Sequence, residues 1–246
     1  MTESRAVLVF DVNETVLDIE PLAPLFTDWF GDGATMRTWF AELIIYSQTL
    51  TLAGGYVDFA MLAVSVLRMV AERRGVRLPE DAADRLKSQM TSLPAHDDVV
   101  PALSRMRDAG LRLVTLTNSG ADAQRRQLDH AGIARLFDRQ YSVETMKAFK
   151  PHPSTYATVA EAEGVALADL TLVACHGWDT IGARLAGCRA AFIVRPGNVE
   201  LCLYGIAGAD YTFPSMHSLA DAFIAHAELQ AAEPCSRLTA RWHEEK

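Results

Sequence analysis

The chain changes rhythm at about residue 98. Beyond that point short β-rich runs alternate with amphipathic stretches of helix length: "VVPALSRMRDAG", "LRLVTLTN", "ADAQRRQLDHAG", "RQYSV", "PSTYATVAEAEG", "LTLVAC", "WDTIGARLAGC" and "AAFIVR". Strands separated by helices specify βαβ units, and so a parallel sheet with helices on its faces. One more strand, "VLVF" at 7–10, stands apart at the start. The segment from 19 to 97 between it and the alternating half shows helical spacing alone, in "MRTWFAELIIYSQTL", "YVDFAMLAVSVLRMVAERRG" and "PEDAADRLKSQMTSL", with Gly75 at a helix end and Pro79 at a helix start. The expected fold is therefore α/β: a Rossmann-like parallel sheet core drawn from residues 1–18 and 98–230, with an all-helical cap inserted over 19–97. Inserted just past the first strand, the cap would stand over the carboxyl edge of the sheet. Residues 231–246 are polar and are expected to form a loosely ordered tail.

Composition removes several classes of function. Hydrophobic residues fill 50% of 246 positions, yet no apolar run reaches the roughly eighteen residues that suggest a membrane span, so no membrane partner is expected. The opening "MTESRAVLVFD" passes into a strand without a basic and then apolar leader, which predicts a cytoplasmic protein. The four cysteines, Cys175, Cys188, Cys202 and Cys235, lack C-x-x-C spacing and read as reduced thiols rather than a zinc site or a disulfide scaffold. A formal charge of -8 with scattered basic residues argues against nucleic acid as a partner. An anionic small molecule would need a local positive pocket. The apolar faces of "AMLAVSVLRMV" serve either as cap core or as a homodimer surface.

The first strand delivers Asp11 and is followed by Asn13, Glu14 and Thr15. A lone aspartate after a strand is more often a turn or cap residue than a reactive one. Other polar groups fall at the same end of the sheet. "LRLVTL" leads to Thr117 and Asn118 and then a helix N-terminus, which favours an anion. "KAFKP" places Lys150 before a proline and a helix carrying Tyr156, and "LTLVAC" leads to His176, Trp178 and Asp179. Each has an ordinary reading as a cap, a solvated charge or an edge of the core. Their coincidence at one sheet edge, where open α/β proteins bind ligands, points to a pocket containing a carboxylate nucleophile.

The motif order D-V-N-E-T, T-N, K-P and W-D resembles the haloacid dehalogenase superfamily, and within it the type II L-2-haloacid dehalogenases, over about residues 5–225. "WFAELIIYSQTLTLAGGYVDF" is similar to that subfamily's cap segment, with Trp39, Tyr46, Tyr56 and Phe59 in matching places, and Lys150 and Tyr156 keep its K-P-x-x-x-x-Y spacing. The resemblance implies hydrolytic dehalogenation of a small 2-haloalkanoic acid, without metal or cofactor, through an ester on Asp11. Lys150 would keep the nucleophile ionised, Asp179 would polarise the water, and Thr15 and His176 complete the catalytic set, His176 as a base or as a cation beside the leaving halide. Thr117 would hold the substrate carboxylate, and Asn118, Phe59 and Trp178 would line the halide side.

This sequence departs from the subfamily at three places. The opening motif usually reads Asp, apolar, aromatic, Gly, Thr, and here Asn13 and Glu14 occupy its middle. The arginine that cradles the halide falls at Phe40. The residue two before the Trp-Asp pair, usually Asn, is His176. Two other hydrolase readings stay open: ring opening of a small cyclic amino acid by C–N cleavage, and phosphoryl transfer. The second is disfavoured because Asn13 stands where phosphatases carry an acid, and an amide cannot deliver a proton. A non-catalytic interaction protein is a further alternative, weakened by the intact Asp11, Lys150 and Asp179.

Overall fold

The computed structural model describes residues 6–201, 203–206 and 208–232. Six parallel strands form one sheet: β1 (Val7–Phe10), β2 (Arg112–Thr117), β3 (Arg139–Ser142), β4 (Leu170–Ala174), β5 (Arg189–Ile193) and β6 (Tyr211–Phe213), in the order β3-β2-β1-β4-β5-β6. Helices α5 (Val99–Asp108), α6 (Ala121–His130), α7 (Pro153–Glu163), α8 (Gly177–Ala186) and α9 (Met216–Ala232) connect or follow the strands. β1 lies in the middle, Val7 pairing with Arg112 on one side and with Leu170 on the other. All four of its residues are buried, as a strand covered on both faces requires. The chain leaves β1 for β2 and β3 and then crosses back to β4 on its other side. That reversal opens a crevice at the carboxyl ends of β1 and β4.

Between β1 and α5 every regular element is helical: a 3-10 turn at Glu20–Leu22, then α1 (Ala23–Phe30), α2 (Thr35–Leu52), α3 (Phe59–Arg73) and α4 (Ala82–Met90). The Asp58 side chain caps α3 by accepting from the backbone N–H groups of Ala60 (2.9 Å) and Met61 (3.1 Å). α2 and α3 are joined by Trp39, whose indole N–H donates to the Ala63 carbonyl at 2.9 Å. The chain enters and leaves this block through one neck: Asp18 N donates to Pro94 O (2.8 Å), His96 N donates to Val16 O (3.1 Å), and Leu17 bridges Ala95 in antiparallel fashion.

Some details differ from the sequence reading. Gly75 does end α3, at a φ of 65°, but Pro79 lies before the turn that opens α4 and accepts there from Ala82 N. Lys150 is not at a strand end; β3 finishes at Ser142 and Lys150 sits in the loop ahead of α7. α1 and β6 had no clear signature, being short elements flanked by irregular chain. The apolar residues of "AMLAVSVLRMV" turn inward, with Leu62, Val66, Leu67 and Val70 buried and Met61 exposed, so this run serves the core and offers no broad apolar face. No helix among the described residues is long and apolar enough to cross a membrane. Cys175 and Cys188 are unpaired and buried, whereas Cys202, Cys235 and the expected tail from 233 onward lie outside the described residues.

Candidate active site

Asp11 continues the β1 ladder, its N–H donating to Val173 O at 3.0 Å, so its backbone is fixed by the sheet and its carboxylate projects at the crevice. The two carboxylate oxygens have different surroundings. Oδ1 accepts from Lys150 Nζ at 2.8 Å, and Oδ2 accepts from Thr15 Oγ1 at 2.7 Å and from His176 Nδ1 at 3.0 Å. Burial alone would raise the Asp11 pKa; the Lys150 ammonium and the hydrogen-bonded, charged His176 outweigh it and hold the carboxyl well below the usual range.

Lys150 is fully buried, and its Nζ also donates to Asp179 Oδ2 at 2.6 Å. Its backbone N–H donates to Asn118 Oδ1 at 2.9 Å, so the residue at the end of β2 positions the loop that carries the ammonium. Burial opposes the Lys150 charge, but the two carboxylates raise its pKa. Asp179, on the first turn of α8, accepts from Tyr156 OH at 2.6 Å. Its pKa is raised, first by burial and then by the competing negative charge of Asp11, against the pull of Lys150. Burial and Asp179 together push the Tyr156 phenol well above its ordinary value, so it remains a donor.

His176 spans two carboxylates. Nδ1 meets Asp11 Oδ2, and Nε2 meets Glu14 Oε2 at 2.8 Å, so both nitrogens carry hydrogen and the ring is an imidazolium. Burial works against that charge, but the Cys175 sulfur and the hydrogen bonds to Asp11 and Glu14 overcome it, leaving the pKa well above the ordinary histidine value. Glu14 is buried and adopts a φ of 66°, a left-handed backbone that non-glycine residues avoid. Its Oε1 accepts from Arg37 of α2 and from Asn198 Nδ2 at 2.7 Å. Burial would raise the Glu14 pKa; His176 and Arg37 bring it down. The network therefore sets Asp11, Asp179 and Glu14 against Lys150, His176 and Arg37, a charge balance that makes its burial tenable.

Most residues singled out in the sequence converge here. Trp178 stacks on His176 at 5.1 Å between centroids and lies 5.8 Å from Lys150 Nζ, and Phe40 packs on the same imidazolium at 5.8 Å. Phe59 packs on Phe149, the residue before Lys150, at 5.8 Å. Thr117 Oγ1 accepts from Ser119 N at 3.2 Å, which leaves the hydroxyl hydrogen to be directed elsewhere. Asn13 faces away from the ion network: its Nδ2 donates to Ser119 Oγ (3.2 Å) and its Oδ1 accepts from Gln127 Nε2 (3.0 Å).

The sequence reading did not assign roles to Glu14, Arg37 or Asn198. A signal existed for the first two. Glu14 stands at a motif position where glycine is usual, and Arg37 lies one helical turn before Phe40 on the same helix. Asn198, in the irregular segment after β5, left no trace in periodicity or motif. Glu14, Cys175 and His176 also place ligand-type atoms within 4.8 Å of one another. A cation there would have to strip His176 of a proton and draw Glu14 from Arg37, so this group is better matched as an ion-pair network than as a metal centre.

The fold and site thus define an α/β protein whose central strand ends in a buried carboxylate clamped between two cations. A model of the haloacid dehalogenase-like hydrolase family matches residues 6–187. The chain belongs to the haloacid dehalogenase-like hydrolases. It is 27% identical over 194 residues to (S)-2-haloacid dehalogenase H-109 of Pseudomonas putida, covering 78% of this chain and 87% of that one. Among solved structures it is similar to the L-2-haloacid dehalogenase RSc1362, at 29% identity and a TM-score of 0.83 over 89% of this chain and 98% of the other. The L-2-haloacid dehalogenase of Xanthobacter autotrophicus with chloropropionic acid covalently bound shares the fold at 24% identity, with a TM-score of 0.79 over 88% of this chain and 97% of that one.

Proposed function

We propose that the protein hydrolyses the carbon–halogen bond of a small 2-haloalkanoic acid, yielding the 2-hydroxy acid through an ester on Asp11. The observation that carries this reading is the Asp11 carboxylate, buried, ionised and aimed by Lys150 at 2.8 Å, with the amide of Asn13 rather than an acid two residues later. Displacement at a saturated carbon needs an unprotonated nucleophile held at an attack geometry, and a departing halide needs no proton. A departing alcohol or amine does. The (S)-2-haloacid dehalogenase relatives support the same reaction class and a carboxylate substrate.

In this reading the substrate carboxylate receives the Thr117 hydroxyl hydrogen near the N-terminus of α6, and the halide departs toward Asn118, Phe59 and Trp178. The bond from Asp11 oxygen to the α-carbon forms as the carbon–halogen bond breaks. Asp179, kept basic by burial and oriented by Tyr156, then takes a proton from the water that attacks the ester carbonyl. His176 acts as a fixed cation and not as the base, since both ring nitrogens already carry hydrogen. We place this work in the cytoplasm, in keeping with the two buried, unpaired thiols.

The test is halide release from 2-chloro- and 2-bromopropionate and fluoroacetate with a metal chelator present, followed by one turnover in ¹⁸O-water. Release that survives the chelator, an unlabelled product in the first turnover with ¹⁸O already in the Asp11 peptide, and labelled product in later turnovers are expected, with Asp11→Asn lowering activity by at least a thousandfold. Label entering the product in the first turnover would mean that water attacks the substrate directly.

A further inference from the structure

An ester on Asp11 raises a question that attack alone does not: which oxygen bears the alkyl group and which takes the negative charge when water adds. The site is asymmetric. Oδ1 faces only Lys150 Nζ, whereas Oδ2 has two donors, Thr15 Oγ1 at 2.7 Å and His176 Nδ1 at 3.0 Å. Thr15 Oγ1 accepts from Cys175 N at 3.1 Å, which leaves its own hydrogen for Oδ2. His176 Nδ1 is fixed in its turn because Nε2 is anchored on Glu14, itself gripped by Arg37 and Asn198.

We propose that Oδ1 is the attacking oxygen, that Thr15 and His176 form the oxyanion hole on Oδ2 for hydrolysis of the ester, and that Glu14 is a positioning residue which keeps His176 aimed and cationic throughout the cycle. This rests on the dehalogenation reading above. After attack, Oδ1 carries the alkyl group and Oδ2 is the carbonyl oxygen. Water adds to Cγ, its proton passes to Asp179, and the electron pair of the carbonyl moves onto Oδ2 between the two donors. Collapse breaks the Cγ–Oδ1 bond, and the departing hydroxy-acid oxygen takes a proton from Lys150. Asp179, 2.6 Å from Nζ, returns its proton to Lys150, and the second water proton, left on the Asp11 carboxyl, is lost to solvent as the counterpart of the released halide, so that every charge is restored.

Glu14 matters most in the second half of that sequence. Once esterified, Asp11 is neutral and no longer favours the imidazolium. The groups facing His176 are then the ester and Thr15 beyond β1, Cys175 before α8, the rings of Phe40 on α2 and Trp178 on α8, and Glu14 on the opposite nitrogen. Lys150 beneath Trp178 and Arg37 behind Glu14 are both positive and disfavour the imidazolium charge. Among the described residues, Glu14 is the one carboxylate left in contact with the ring. A cationic donor at a developing oxyanion strengthens as charge appears on oxygen, which is where catalysis gains most.

The experiment separates the two chemical steps. In rapid-quench single turnovers with 2-chloropropionate, halide release reports formation of the ester, and the mass of the Asp11 peptide reports its hydrolysis. Wild type should hydrolyse the ester at a rate that is flat from about pH 7 to 9. In Glu14→Gln, His176 should relax toward an ordinary pKa of about 6.5, so ester hydrolysis should fall roughly tenfold per pH unit above pH 7 while ester still forms and accumulates. Glu14→Gly, which relieves the left-handed backbone and folds without that strain, should behave alike, and Glu14→Asp should restore part of the flat profile. His176→Asn should slow hydrolysis about a hundredfold without an inflection. Folded Glu14→Gln and Glu14→Gly variants that hydrolyse the ester at the wild-type rate and with a flat profile would overturn the proposal alone. A wild type that releases no halide would overturn the dehalogenation reading, and this inference with it.

Discussion

Glu14 illustrates how a residue-scale departure is held in place. A left-handed backbone costs a non-glycine residue about 1–2 kcal/mol, and here the side chain recovers that cost by joining Arg37, Asn198 and His176. The same network explains why phenylalanine suits position 40. A guanidinium there would lie against an imidazolium whose ring centre is 5.8 Å from that of Phe40. Like charges at such a distance in a buried site disfavour each other. Phe40→Arg alone should therefore lower kcat/KM for 2-chloropropionate at least tenfold, and adding His176→Asn should recover most of the loss, as steady-state kinetics on the single and double variants would measure. Asp11, Lys150 and Asp179 were legible in the sequence because their chemistry has fixed spacing from strand ends and a proline. The role of Glu14 was not: the glycine usual at its position hinted at a left-handed backbone, but an acid in a loop reveals neither its burial nor its partners. Asn13 was misleading for the complementary reason: its position in the motif suggested the pocket, while its two hydrogen bonds turn it toward Ser119 and Gln127.

At the scale of elements, the approach of α8 to the loop before α7 decides whether Lys150 and Asp179 can meet. Gly182 allows that approach: a Cβ there would come within 2.2 Å of Pro151 Cβ and 3.0 Å of Tyr156 OH. Gly182→Ala should push α8 outward, parting Asp179 from both Lys150 and Tyr156. We expect a loss of about 1–3 kcal/mol of stability by denaturant titration and a fall of at least tenfold in turnover. The strands and long helices were legible from their periods, since burial on both faces makes β1 and β4 continuous apolar runs and one-sided packing gives helices their stripe. β6, three residues long with two of them exposed, follows a segment without period, and its pairing with β5 arises only when the chain closes.

Across the whole molecule, the ion network links stability to pH with two opposite signs. His176 has a raised folded pKa, so its contribution is complete below about pH 6.5 and declines by up to about 1.4 kcal/mol per unit as pH rises toward the folded value. Asp11 has a depressed pKa, so its contribution is present above the ordinary carboxylate range and disappears as pH falls through the folded value. Thermal unfolding of wild type and His176→Asn should show a gap that is widest near pH 6 and narrows by pH 8. The central position of β1 has a consequence in time as well as in space. Val7 must wait for Arg112 and then for Leu170 before both edges of its strand are paired, and Asp11 precedes Lys150 by 139 residues and His176 by 165. On the ribosome the nucleophile is therefore made first and neutralised late. A nascent chain that has not yet reached β4 carries an apolar strand with an open edge and an uncompensated carboxylate at its tip, which leaves this early segment dependent on slow, long-range closure.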